Sequence, residues 1–159
     1  MKPLDRIDRK ILEILQREGR ISNVDLAEKV NLSPTPCLER VRRLEREGFI
    51  RNYVAIADGQ KLKNNTLAFI QVLLTSTTTA NLKHFNELMK GISEVEACHM
   101  VAGGFDYLLK IRCADMQHYQ RFLGEKLATI PLISQTHTYV VIEEVKAETA
   151  IPIRTEVAL

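Results

Sequence analysis

"LSPTPCLERVRRLEREG", Leu32 to Gly48, places two prolines at the head of a segment that otherwise reads as helix, then loads that helix with arginine. With Ser33 as N-cap, Pro34 falls at the first helical position and Pro36 at the third. The first four N–H groups of a helix have no acceptor within it. A missing donor costs nothing there, and the fixed φ of proline presets a sharp entry. Cys37, Leu38, Val41 and Leu44 share one apolar side. At 100° per residue, Glu39, Arg42, Arg43 and Arg46 fall opposite, with Arg40 and Pro36 at the flank. The spacing predicts a helix that buries one stripe and turns guanidinium groups outward.

Two shorter helices are predicted upstream. Asp5 is a good N-cap for the first, in which Ile7, Ile11, Ile14 and Leu15 recur at helical period before Gly19 stops it. Ser22 caps the second, with Asp25 at N3, Ile21 and Leu26 as a hydrophobic staple, and Leu26, Ala27 and Val30 on the buried side. A three-residue connection, "NLS", leads into the arginine helix. Three short helices, a tight turn and a basic final helix match a helix-turn-helix, whose last helix enters the DNA major groove head first. Arginine suits that role through bidentate contact with guanine or phosphate. Glu39 either accepts from cytosine or holds Arg43 as an i,i+4 pair. An ordinary three-helix bundle with a salt-bridged surface is the plainer alternative, and the tight turn into a proline-headed arginine face argues against it. Charge agrees. Residues 1–51 carry twelve Lys/Arg against nine Asp/Glu, a balance of +3, and the remainder carries ten against eleven, a balance of −1.

Beyond Gly48 the texture changes. Ile50 to Ile56 reads as a short strand and "ADGQKLKNN" as a polar turn and hinge. "TLAFIQVLLT" is a strand, and a helix follows with Leu82, Phe85, Leu88 and Met89 on one side and Gly91 at its end. "VEACHMVA" and "DYLLKIRC" are two more strands. Asp115 caps a second helix marked by Met116, Tyr119, Phe122, Leu123 and Leu127, and "SQTHTYVVIEEV" alternates as a last strand. The order β-α-β-β-α-β predicts a ferredoxin-like sandwich, two helices on one face of an antiparallel sheet. Its first strand is apolar on both sides, which predicts that the open sheet face is covered by another subunit. The expected fold is α+β: a helix-turn-helix (winged) domain at 1–51, a strand and hinge at 52–65, the sandwich at 66–146 and a tail at 147–159. The tail, "AETAIPIRTEVAL", is open to three readings: strand, disorder or a part in assembly.

"RISNVDLAEKVNLSPTPCLERVRRLEREGFI", together with "GGFDYLLKIR", "ADM" and "TYVVIEEVK", resembles the Lrp/AsnC, or feast/famine, family of transcriptional regulators. The resemblance implies that the second domain is the family's small-molecule-binding (RAM) module. It also implies a homodimer formed through these sheets, assembly to octamers or larger, and an amino acid, leucine or another small one, bound in a cleft between dimers. On the DNA side, Ser33 and Pro34 would place the recognition helix. Thr35 and Glu39 would face bases, and Arg40, Arg43 and Arg46 would grip bases or phosphate. On the effector side the resemblance points to Val101, Gly103, Gly104 and Asp106 in one loop, to Tyr139, Val140 and Val141 on the last strand, and to Met100 and Met116 secondarily. Consecutive glycines would let backbone amides approach a ligand carboxylate, and Asp106 would pair with its ammonium. The same Gly103-Gly104 pair also suits a plain hairpin turn. Gly104 and Met100 depart from what family members often carry, which leaves the effector's identity open.

Other chemistries find little support. No stretch is long and apolar enough to span a membrane, and "MKPLDRIDRK" has no apolar core of a signal peptide. Three cysteines without a CxxC spacing fit a reducing cytosol, so a cytoplasmic protein is expected, nucleoid-associated on the DNA-binding reading above. Cys98 and His99 are adjacent on a strand and face opposite ways, and Glu143 and Glu144 do likewise, so neither metal nor paired acid–base catalysis is expected, nor any cofactor beyond the amino acid. The reading is a sequence-selective regulator whose assembly or DNA occupancy responds to an amino acid. The alternative is a ligand-independent architectural protein of the nucleoid, and an enzyme is disfavoured.

Overall fold

The computed structural model describes residues 3–153. The chain divides into two compact units. One comprises the residues up to Ile56 and those from Lys146 onward, and the other spans Ala57–Val145.

The first unit holds three helices: α1 (Arg6–Arg17), α2 (Asn23–Lys29) and α3 (Pro34–Arg46). Asp5 caps α1 by accepting from the Asp8 N–H at 2.8 Å, and the Asp8 carboxylate returns the favour to the Asp5 N–H at 3.1 Å. Ser22 caps α2 by accepting from the Asp25 N–H. Ser33 begins α3 as expected but makes no side-chain cap bond. The head of α3 is instead tied to α2, where the Asn23 side-chain amide donates to the Pro34 carbonyl at 2.8 Å. Asn31 takes a left-handed φ of 56° between the two helices, which lets the chain reverse within the short connection. Ile11, Leu12, Leu26, Ala27, Val30, Cys37 and Leu44 close the core.

Gly48 ends α3 with φ 78°, and the Phe49 N–H folds back to the Leu44 carbonyl. A Cβ at Gly48 would touch nothing, so Gly48→Ala isolates backbone strain. Thermal or denaturant unfolding of that variant is expected to show a loss of about 1–2 kcal/mol. The strand expected at Ile50–Ile56 does not form. A ladder needs a partner, and among the described residues none lies beside it, leaving Val54 and Ile56 about three-quarters exposed.

The second unit is the expected β-α-β-β-α-β sandwich. Its strands β1 (Thr66–Leu74), β2 (Val95–Met100), β3 (Tyr107–Cys113) and β4 (Ile133–Val140) form one antiparallel sheet in the order β2-β3-β1-β4. Ala68, Ile70, Val72 and Leu74 of β1 join Tyr107, Leu109, Ile111 and Cys113 of β3 on the face covered by helices α4 (Thr79–Lys90) and α5 (Met116–Arg121). Helix α5 continues as a π-helical stretch, Phe122–Leu127, and its wider turn brings both Phe122 and Leu127, five residues apart, to the buried side. Phe85 and Tyr107 lie ring to ring at 4.5 Å with planes tilted by 43°. On the opposite face Phe69, Gln71, Leu108 and Leu73 remain partly or largely open, beside exposed Tyr139.

The last strand stops at Val140, five residues short of the expected end. Glu143 and Glu144 therefore lie beyond the sheet, where Ile142 and Val145 are nearly fully exposed. The tail then joins the first unit. The Gln16 amide grips the backbone of Ile151 twice, accepting from its N–H at 2.7 Å and donating to its carbonyl at 3.1 Å, and Ile153 packs on the helical core. Residues 154–159 of the tail lie outside the described residues.

Candidate functional sites

Helix α3 presents Pro34, Thr35, Glu39, Arg42, Glu45 and Arg46 to solvent, next to exposed Ser33. Arg42 and Arg46 make no ion pair among the described residues. Arg40 and Arg43 behave differently. The Arg40 guanidinium donates to Asp5 at 2.6 Å and to Asp8 at 2.8 Å, and Arg43 Nη2 lies 2.5 Å from Asp8 Oδ2. The Asp8 carboxylate is fully buried, and the Arg43 side chain is only 17% exposed. The expectation that Arg43 faces outward is therefore corrected, as is its pairing with Glu39. Counted from Cys37, Arg43 lies toward the α1 flank of the helix rather than at its outermost line, and a buried carboxylate on α1 draws it in. Arg40 follows the same course. Burial works to raise the Asp5 pKa, but the Asp8 N–H and the Arg40 guanidinium outweigh it and hold the group at about 2. The same bonds raise the Arg40 pKa.

Asp8 was not among the residues expected to matter. A signal was present, because Leu4, Asp8, Ile11 and Leu15 share helical spacing and a carboxylate on an apolar stripe requires a partner.

The positions expected around an effector do not form a single cluster within one chain. Val101 to Asp106 connects β2 to β3, closed by the Val101 N–H donating to the Asp106 carbonyl. The Asp106 N–H donates to Val72, and its carboxylate accepts from the Leu74 N–H at 2.7 Å. Asp106 is thus a latch between the loop and the far end of β1. Gly103 and Gly104 have open space around them and no left-handed φ, so nothing within the chain requires glycine there. Tyr139 and Val140 pair instead with Phe69 and Ala68 near the start of β1, and the Val141 N–H donates to Leu67. Met116 opens α5 just after β3 ends opposite Thr66, at that same end. Ala68 and Val72 are four strand residues apart, roughly 13 Å. Met100, 55% exposed, lies at the loop end and also lines a groove of about 570 Å³ between α4 and β2. All the proposed contacts are surface groups, and they divide between opposite ends of the sheet.

A second buried carboxylate stabilises the sandwich. Glu94 accepts from Lys126 at 2.7 and 2.8 Å and from Ser93, with His118 Nε2 at 3.3 Å. Burial opposes its ionisation, yet these bonds, Lys126 foremost, lower its pKa from 4.5 to about 2. A depressed carboxylate pKa stabilises the folded state above the unfolded value, and that contribution is lost as pH falls from about 4.5 toward 2. Urea midpoints measured across that interval should fall with pH, and Lys126→Met should flatten the dependence. Among the described residues, no group of three His, Cys, Asp or Glu side chains is arranged to hold a metal. Cys98 and His99 do face opposite ways, Cys98 opposite Leu109 and His99 opposite Leu108.

Residues 67–151 match the family described as "Lrp/AsnC ligand binding domain", and residues 4–51 match "Winged helix-turn-helix DNA-binding". Over 154 residues the chain is 49% identical to the leucine-responsive regulatory proteins of Escherichia coli K12 and of Klebsiella pneumoniae, covering 97% of this chain and 94% of each relative. A transcriptional regulator of Neisseria meningitidis, solved as a complex with L-Met, superposes with a TM-score of 0.90 at 33% identity, over 94% of this chain and 97% of the other. An AsnC family regulator from Agrobacterium tumefaciens gives 0.89 at 35% identity with the same coverage.

Proposed function

The chain belongs to the Lrp/AsnC family of transcriptional regulators, and from that premise we propose that it reads operator DNA with the outward face of α3 and adjusts its occupancy to a free amino acid. It is a regulator rather than an enzyme: a DNA-binding helix-turn-helix joined to a ligand-binding domain. The observation that carries the assignment of contacts is the division of the α3 arginines. Arg42 and Arg46 are exposed beside Thr35 and Glu39 and make no ion pair among the described residues, while Arg40 and Arg43 are held by carboxylates of α1 and its cap. The exposure of the first set supports a role at base edges and phosphates, with Ser33 and Pro34 at the head of the helix.

The exposed apolar surface supports assembly of copies. Val54, Ile56, Tyr139, Val140, Ile142 and Val145 stay exposed among the described residues, which supports a homodimer and larger assemblies. The two groups of effector positions, at opposite ends of one sheet, are consistent with an amino acid held between copies rather than within one. Leucine or methionine is the natural first choice, since relatives are named leucine-responsive and a structural neighbour was solved with L-Met. Its site of action would be the cytoplasm, on the nucleoid.

The test is selection of bound duplexes from a random library, then anisotropy titration of the selected duplex against each of the twenty amino acids, with the mass in solution followed alongside. A selected consensus and a shift of affinity or mass with one or a few amino acids are expected. A consensus with no response to any amino acid would favour the architectural alternative. No consensus at all would remove the regulator reading of α3.

A further inference from the structure

We propose that Asp8 is a specificity-determining positioning residue: an internal counter-ion that withholds Arg40 and Arg43 from DNA so that α3 presents a short, selective set of contacts. The inference rests on α3 being the DNA-facing helix and concerns what sets its selectivity.

Three observations converge on it. Asp8 is fully buried, and both of its oxygens are engaged, Oδ1 by Arg40 at 2.8 Å and Oδ2 by Arg43 at 2.5 Å. Asp8 is itself fixed, because Oδ2 accepts from the Asp5 N–H at 3.1 Å and its own N–H donates to Asp5 Oδ1 at 2.8 Å. Charge is balanced within the cluster, two guanidiniums against Asp5 and Asp8. Moving either arginine to a phosphate would take from a buried carboxylate one of its two guanidinium partners, and that opposes the exchange. The Nε of Arg43 is buried without an acceptor, so the group is enclosed by packing and is not a solvated cation in waiting.

The functional consequence concerns selectivity. Every phosphate gripped by a free arginine adds affinity for all sequences alike and steepens the salt dependence by roughly 0.9 in the log–log slope. Four free arginines on one short helix would raise binding to any duplex. Committing two of them to α1 leaves Arg42 and Arg46 as the cationic contacts and fixes the α1 flank of α3, so that its outward face meets the groove at a defined angle. A carboxylate thirty-two residues away in sequence from Arg40 thus sets what the recognition helix offers.

The test compares the full-length protein with Asp8→Asn, Arg40→Gln and Arg42→Gln, titrating selected and scrambled duplexes over a range of salt. Asp8→Asn keeps the side-chain size and an acceptor oxygen while releasing Arg43 from its carboxylate and leaving Arg40 with Asp5 alone. It should steepen the salt slope on scrambled DNA by about 1–2 and reduce the ratio of selected to scrambled affinity by about tenfold. Arg40→Gln, which leaves Asp8 paired with Arg43, should leave the slope unchanged, whereas Arg42→Gln should lower it by about 1. A purely structural role for Asp8 would weaken both duplexes in parallel, and that result overturns the proposal. So does an Arg40→Gln slope as reduced as that of Arg42→Gln, which decides the matter even where Asp8→Asn fails to fold. Failure of Arg42→Gln to change the slope at all would instead refute α3 as the DNA-facing helix.

Discussion

The double substitution Arg42→Ala/Arg46→Ala is expected to remove most operator binding while leaving the fold intact. Both side chains are exposed and make no ion pair among the described residues, so their loss disturbs no packing. A guanidinium reading a base edge contributes about 1–3 kcal/mol of discrimination, so two such contacts give roughly 2–6 kcal/mol if they add. They are one helical turn apart on the same face, and some coupling will reduce the sum. Circular dichroism and the melting temperature should match the unaltered protein within the error of a surface change. The mode of loss also identifies the contact. An arginine on a base relaxes selectivity at one position, whereas an arginine on phosphate weakens all duplexes equally and flattens the salt dependence. A double variant that binds normally would require the DNA surface to be elsewhere.

The second large effect is expected at Phe85. It is fully buried at the centre of the sandwich, stacked on Tyr107, whose hydroxyl donates to Asn86 at 2.9 Å. Phe85→Ala removes a large ring that backbone movement cannot replace, and the expected loss is about 3–5 kcal/mol in denaturant unfolding. The consequence extends to the candidate effector loop, because Tyr107 directly follows Asp106, the residue that latches the loop to β1. Amino-acid-induced stabilisation should therefore weaken along with the core, since a ligand stabilises only the conformation it binds. Phe85→Leu, which keeps most of the volume, should recover a large part of both. A loss below about 1 kcal/mol for the alanine variant would mean that the core had collapsed around the gap, contrary to the packing described.

Local chemistry made much of this molecule legible in the sequence. Caps at Asp5 and Ser22, prolines at the head of α3 and alternating apolar residues in β3 each act within a few residues, and the helices and strands follow from them. What was not legible depends on partners far away. Arg43 projects as an outward residue until the carboxylate of Asp8 on another helix is placed beside it. The segment after Gly48 has strand composition but, among the described residues, no strand beside it, and composition alone does not supply one. β4 ends early for a related reason: beyond Val141 only Thr66 of β1 remains opposite it. The tail was undecided because its hold on Gln16 joins residues 135 positions apart. The effector positions followed from resemblance, and only the register of β1 against β3 and β4 reveals that they lie at opposite ends of one sheet.

The most direct test of α3 as the reader of DNA sequence is a loss-of-contact measurement. The unaltered protein and the Arg42→Ala variant are titrated against a selected duplex and every single-base-pair change in it. The penalty for changing one base pair in each half-site is expected to disappear in the variant while penalties elsewhere persist. If every penalty survives at full size in Arg42→Ala, and likewise in Arg46→Ala and Glu39→Ala, the outward face of α3 does not read the sequence.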